Sequence, residues 1–361
     1  MSQRLTLGAQ ADVVDPDPAP EVQRSSLLSS LVTSTAAWIF VVDVLLVVIF
    51  GAYSINHTFW SLAALQVVAL DSATALILAC GIALLLGAGE IDLSVGAGLL
   101  LSSVYGGKVI TDLAGSGTLV AALAGLVVCI GVGAGIGLFN GFIVTRLHVT
   151  SLIATLATLG IATGIANIAT GGTDLTGIPV NLQNDVGIRE VASIPLPALF
   201  ALVVWALMWI VFRATRYGLR MLALGSSRSA AERSGIRVDA HLVLAFVIVG
   251  ALAGLAGFVD LTRFATTNLA GHQTDALAAI TACVIGGTSL FGGRVSIGGV
   301  LTGTLLAVIL QDGLVVIGLS SYYQLIAIGA VLIAAVFLDS RRASGSAVPR
   351  FVRTRTGGGA A

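Results

Sequence analysis

Apolar runs of about 20 residues, repeated between residues 32 and 338, constrain most strongly what this chain can fold into. A helix needs roughly 20 apolar residues to cross the hydrocarbon core of a bilayer. Backbone groups in lipid must be satisfied inside the segment, so such runs are expected to be helical. Ten runs meet the criterion: about 32–53, 67–88, 94–112, 118–143, 149–170, 196–213, 241–262, 275–293, 297–318 and 321–338. Whether the patch from Phe59 to Leu70 forms a separate interfacial or half-helix is left open by the sequence. Composition agrees. Of 361 residues 57% are hydrophobic and only 10% charged, against roughly 25% charged in a soluble domain. The expected fold class is an all-α polytopic membrane protein of about ten transmembrane helices, some of them broken.

The basic residues orient these spans. With the N-terminus inside, fifteen of the eighteen fall on the cytoplasmic side: Arg4, Arg24, Arg146, six arginines between 213 and 237, Arg294, and Arg341, Arg342, Arg350, Arg353 and Arg355. Only Lys108, Arg189 and Arg263 fall outside. Positive charge is retained on the cytoplasmic side of membrane proteins, so both termini are expected there. Residues 1–30 and 340–361 read as disordered cytoplasmic tails flanking a transmembrane domain over 31–339. The net charge of zero offers no electrostatic footprint for nucleic acid. Cys80, Cys129 and Cys283 lie in apolar segments and read as small buried residues.

Two polar interruptions invite partners. The loop 213–241 carries Arg213, Arg216, Arg220, Arg228, Arg233 and Arg237. Inside it, Ser229-Ala-Ala-Glu232 has the spacing of a capping box, Ser227 is a second candidate N-cap, and Gly235 is a natural helix stop. The pattern predicts a helix of barely two turns at the cytoplasmic surface, which another protein could grip. On the opposite side, the loop 171–197 holds Gly171, Gly172, Pro179, Pro195 and Pro197. Its length suits docking of an external partner.

Two further interruptions are too short to be ordinary loops: Gly87–Gly96, with Gly89 and Gly96, and Gly286–Gly299, with Gly286, Gly287, Gly292 and Gly293. They read as helix breaks, which survive at membrane depth only when buried in protein or lining a polar cavity. Each ends in Ser-x-Gly before an apolar run. Gly133, Gly137 and Gly141 recur every four residues, as do Gly250/Gly254 and Gly299/Gly303. That spacing is expected to form close helix–helix faces. Asp43, Asp71 and Asp312 sit deepest in the apolar runs, with Asp260 and Asp275 in or near others. Intramembrane carboxylates are functional candidates, and a proton-coupled secondary transporter would use one of them. Asp92 and Glu90 instead complement the dipole of the helix that starts after Ser94. The only lysine, Lys108, is followed by Val109, so the chain has no phosphate-binding P-loop. His57, His148, His241 and His272 show no metal-ligand spacing.

Four blocks, in order along the chain, resemble the permease subunits of bacterial ATP-binding-cassette importers for ribose, xylose, galactose and related solutes. They are Gly89-Glu-Ile-Asp-Leu-Ser-Val-Gly96; Asn140-Gly141 with Ile153-Ala-Thr-Leu156; Gly225-Ser-Ser-Arg-Ser-Ala-Ala-Glu-Arg-Ser-Gly-Ile236; and the stretch Ile285–Arg294. The resemblance implies uptake of a monosaccharide or sugar-like solute across the bacterial cytoplasmic membrane. It implies no cofactor on this chain, with ATP-Mg held by a partner ATPase. Gly225, Ser227, Ser229, Ala230, Ala231, Glu232, Ser234 and Gly235 would couple to that ATPase. An extracytoplasmic solute-binding protein and a second permease copy would complete the assembly in the bilayer. Polar groups that the blocks place in or beside spans, Asp92, Ser94, Asn140, Thr155 and Thr288, are the expected path-lining residues. The chain departs from the family pattern at Ser227, where Asn is usual, at Thr150-Ser151, where two prolines are usual, and over Ala276–Ala282, where both family acids are missing and Asp275 stands one position away.

Overall fold

The computed structural model describes residues 35–319 and the single positions 323, 326, 329, 330, 333 and 337. The two tails and two-thirds of the run 321–338 lie outside the described residues. Eleven helices of six residues or more organise the rest: α1 Thr35–Tyr53, α2 Leu62–Gly87, α3 Val95–Asp112, α4 Thr118–Arg146, α5 Ser151–Thr170, α6 Leu196–Ala214, α7 Arg216–Ser226, α8 Arg228–Arg233, α9 Val238–Phe264, α10 Asp275–Ile285 and α11 Ile297–Val316. The only sheet among the described residues is a two-residue hairpin, β1 Glu190–Val191 with β2 Ile194–Pro195.

Seven of these helices, α1, α2, α4, α5, α6, α9 and α11, are long and apolar enough to cross a membrane. Seven of the ten expected runs thus form such helices among the described residues, and the run 321–338 lies largely outside them. The run 275–293 is helical only to Ile285, because Gly286 and Gly287 end the helix and the remainder is irregular. The run 94–112 does form a helix, α3, but Ser102, Ser103, Lys108 and Asp112 dilute its apolar character. The patch 59–70 is not a separate half-helix. A short 3-10 turn, Ile55–Trp60, leads to Ser61, whose hydroxyl caps α2 by accepting the Ala64 N–H at 3.1 Å, and α2 then runs unbroken to Gly87.

Two helices form the centre. α2 is buried from Leu76 through Gly87, and α9 is buried through most of Ala253–Thr262. Around them, α1, α4, α5 and α6 turn Trp38, Phe40, Leu119, Phe142, Ile153 and Leu207 outward. An apolar periphery over an apolar core is what a lipid-embedded bundle presents. α4 packs on α9 through the expected glycine faces. A Cβ on Gly133 would overlap the Gly250 carbonyl oxygen, one on Gly137 that of Phe246, and one on Gly254 that of Cys129. Gly303 abuts the Ala282 carbonyl, joining α11 to α10 in the same way. With little hydrophobic drive between helices in lipid, this backbone contact supplies the association through van der Waals packing.

Candidate functional site: an exposed helix, two helix breaks and a charged cavity

The arginine-rich loop folds as two short helices. Thr215 caps α7 by accepting the Gly218 N–H at 3.1 Å, and Ser227 caps α8 by accepting the Ala230 N–H at 3.4 Å. The cap is thus Ser227. The expected Ser229–Glu232 box does not form, because Ser229 Oγ turns to Ser227 Oγ at 3.4 Å and Glu232 pairs with Arg228 at 3.5 Å. Gly235 stops the helix at φ +80°, a conformation that glycine adopts without strain. Its N–H and that of Ile236 bond the carbonyls of Glu232 and Ala231, closing the end in the manner of a Schellman turn. Only Ala231 of α8 is buried. Ser227, Ser229, Ala230, Glu232, Ser234 and Gly235 are all exposed.

The two breaks lie at the α7–α8 end of the bundle and touch each other. Gly89, Gly287, Gly292 and Gly293 turn the chain there with φ between +77° and +93°. Gly96 and Gly286 do a different job. They admit the His272 and Gly299 backbones, which a Cβ at either position would overlap. Asp92 accepts the Ser94 N–H at 2.7 Å and the Ser94 hydroxyl at 2.6 Å, fixing the start of α3. Asn140 of α4 donates to Ser94 Oγ at 2.8 Å, and Thr158 of α5 donates to Asn140 Oδ1 at 2.6 Å. Ser151 and Thr155 of α5 accept the N–H groups of Ile91 and Leu93 at 3.3 and 3.1 Å. Three of the motif-placed residues, Asp92, Ser94 and Asn140, are therefore gathered into one buried network, and the buried Thr155 holds the Leu93 N–H beside it. Thr288 is buried in the other break, where its Oγ1 accepts the Ser296 N–H at 3.2 Å. At the departure from the family prolines, Ser151 contributes a hydroxyl that holds the first break.

A cavity of about 250 Å³ lies toward the opposite end, lined by α2, α9, α10, α11 and the segment before α10. Its charged groups interlock. Arg263 Nη2 meets Asp71 Oδ1 at 2.6 Å, and Asp312 lies beside the pair. His272 Nδ1 meets Asp275 at 2.8 Å, and its Nε2 lies 3.4 Å from Asp260, an ion-pair distance without hydrogen-bond geometry. Burial alone would lower the His272 pKa. The carboxylates of Asp260 and Asp275 outweigh it and push the imidazole up to about 10, so it is cationic at neutral pH. Thr74, Thr281 and Thr304 add hydroxyls to the lining. These polar groups alternate with apolar ones, among them Leu78, Phe264 and Val308.

The loop 171–197 is tied to this cavity. The Leu175 N–H donates to Thr267 Oγ1 at 2.8 Å, the Leu175 carbonyl accepts from Thr266 and Thr267, and Asp174 accepts the Leu269 N–H at 2.8 Å. Gln183 donates to the Arg263 carbonyl at 2.7 Å. Sequence reasoning noted Asp71, Asp260, Asp275 and Asp312 but missed Arg263 and His272 as their partners. Spacing signalled one pair alone, His272 and Asp275, which are three residues apart, whereas Arg263 meets the distant Asp71.

An apolar bundle with a charged internal cavity and a solvent-exposed helix opposite it is the architecture of a membrane-spanning transport component. The comparisons agree. Residues 64–336 match the family described as branched-chain amino acid transport system, permease component, and the chain belongs to that family. The D-allose transport system permease protein of Escherichia coli K12 is 36% identical over 83% of this chain and 90% of its own length. The ribose import permease protein of Bacillus subtilis 168 is 34% identical, covering 74% of this chain and 82% of its own. The galactose/methyl galactoside import permease protein of E. coli K12 is also 34% identical, covering 79% and 88%. No solved structure gives a significant match. The alternative of a proton-coupled carrier gains no support from these matches.

Proposed function

We propose that this chain forms the path by which a monosaccharide or sugar-like solute enters a bacterial cell, as the permease of an ATP-binding-cassette importer in the cytoplasmic membrane. The observation that carries the reading is the set of relatives, each matched over at least 82% of its length and each a transport protein for an aldose or its glycoside. ATP-Mg is bound and hydrolysed on a separate ATPase. The exposed helix α8, with Ser227, Ser229, Ala230, Glu232, Ser234 and Gly235, is the element that seats in it, and Gly225 and Ala231 support it from the bundle side. The loop 171–197 receives an extracytoplasmic solute-binding protein, and a second permease copy completes the path. Asp71, Asp260, Arg263, His272 and Asp275 meet the solute first. Asp92, Ser94, Asn140, Thr155 and Thr288 come later along the path and become accessible when the two breaks part. In this conformation Asp92, Ser94 and Asn140 hydrogen-bond one another, while Thr155 and Thr288 accept the Leu93 and Ser296 N–H groups.

ATP binding to the partner supplies the differential affinity that tips the bundle between its two states. The test is uptake of radiolabelled D-ribose, D-allose and D-galactose by cells lacking and regaining this chain. ATP-dependent uptake of one of them, restored by the chain, is expected. Uptake driven by a pH gradient in ATP-depleted cells would overturn the reading.

A further inference from the structure

We propose that Gly225 and the two helix breaks form a single backbone junction that carries movement of α8 into the bundle, making Gly225 a positioning residue for coupled transport. The inference rests on the reading of α8 as the element that engages an ATPase. It names how that movement reaches the helices around the cavity.

Gly225 lies in the last turn of α7, three residues before the start of α8. A Cβ there would overlap the Gly87 carbonyl oxygen and the Gly293 N, and would stand 3.0 Å from Gly292 Cα. Those atoms belong to both breaks: Gly87 closes α2 ahead of the first, and Gly292 and Gly293 form the bend of the second. The breaks are also bonded to each other, since the Gly293 N–H donates to the Gly87 carbonyl at 3.1 Å. A Cβ on Gly292 would stand 3.0 Å from the Gly89 N. Three segments distant in sequence therefore meet backbone to backbone, with the short Ser226 and Val295 side chains packed beside the contact. Arg228, the first residue of α8, adds an ion pair at 3.8 Å to Glu90 of the first break.

The consequence follows from packing. Interiors at crystal-like density transmit strain, and contacts between backbones have the fewest soft torsions. A shift of α8 must move α7's last turn, and with it both breaks. The first break leads into α3, whose Gly96 supports the His272 carbonyl. The second joins α10 to α11, which supply Asp275, Thr281 and Thr304 to the cavity. The glycines recognised in the sequence as helix breakers thus have a second role, as the contact surface of this junction.

The experiment uses the full complex purified with its ATPase and reconstituted in liposomes. It measures aldose transported per ATP hydrolysed, with whichever of D-ribose, D-allose or D-galactose the wild type takes up. In Gly225→Ala this ratio is expected to fall about fivefold or more, the scale of a typical coupling free energy, while ATP hydrolysis continues and the ATPase stays bound. Gly160→Ala, whose added Cβ meets nothing within 4 Å, is expected to keep the wild-type ratio. A merely structural defect would lower uptake and hydrolysis together. A wild-type ratio in Gly225→Ala overturns the junction.

Should Gly225→Ala fail to accumulate, the pair Ser226→Cys with Gly293→Cys decides, since a Cβ on Gly293 lies 3.2 Å from Ser226 Cα. The disulfide is expected to form equally in the nucleotide-free and ATP-vanadate-trapped complex, because the junction moves as one unit. Cross-linking in one state alone would show that α7 slides past the second break, and would overturn the proposal. A complex that purifies with no ATPase contradicts the importer reading itself.

Discussion

Arg263 holds the balance of charge in the cavity. Its guanidinium is the partner of Asp71 at 2.6 Å, and removing it leaves an unpaired carboxylate in an enclosed site. Breaking a fully buried pair costs about 3–5 kcal/mol. Asp71 keeps 31% exposure to the cavity, so Arg263→Ala is expected to destabilise the protein by less, about 1–3 kcal/mol. The double variant Asp71→Ala with Arg263→Ala should recover part of that loss. Thermal unfolding of the four proteins in detergent measures the cycle, and strict additivity would mean that the two side chains do not interact in solution. His272 gives a pH signature. Its folded-state pKa of about 10 lies above the ordinary 6.5. The stabilisation from its carboxylate partners is therefore complete below about pH 6.5 and is lost as pH rises through about 10. Melting temperature should fall across that interval in the wild type and should be flatter in His272→Gln. Equal slopes would remove His272 from the charge cluster.

Ser227 and the facing glycines carry the predictions for whole elements. Ser227→Ala removes the only side-chain cap of α8 and is expected to weaken that helix by about 1 kcal/mol. Ser229→Ala should have little effect, and Ser227→Asn, the residue usual in the family, should preserve the cap. Retention of the ATPase through detergent purification reads the difference. Gly250→Leu would force α9 off the Gly133 carbonyl, and the variant is expected not to accumulate in the membrane. Wild-type accumulation would place the two helices farther apart than described here.

The helices themselves were largely legible, because length and apolar content leave a membrane chain few options. The facing glycine sets of α4 and α9 were legible for the same reason, since spacing at i, i+4 speaks of one face. What stayed hidden depends on which partner each polar group takes and on where the backbone breaks. The box at Ser229 matched a local pattern, yet the cap went to Ser227 two residues earlier because Glu232 paired with Arg228 instead. The apolar count over 275–293 passed over Gly286-Gly287, where local backbone freedom ends α10. The cavity escaped because Arg263 had been counted as a topology signal and His272 lacked metal-ligand spacing. Neither observation asks which carboxylates face them.

For the molecule as a whole, the division of labour is the main consequence. The chain has no P-loop, and its charged cavity and its exposed helix stand at opposite ends of the bundle. Energy would enter at α8 and be used at Asp71, Arg263 and His272, with the two glycine-rich breaks between them. Deleting Ser229–Glu232 is expected to abolish uptake while leaving the chain inserted, because the spans do not depend on α8. Normal uptake by that variant would remove α8 from the coupling.

The most direct test of the central claim is mild-detergent purification of the tagged chain from its native cell, followed by quantitative mass spectrometry of the complex. A stoichiometric ATPase bearing a Walker A loop, lost when Ser229–Glu232 is deleted, is the expected result. A chain that purifies alone as a stable particle and still moves solute without ATP would contradict it.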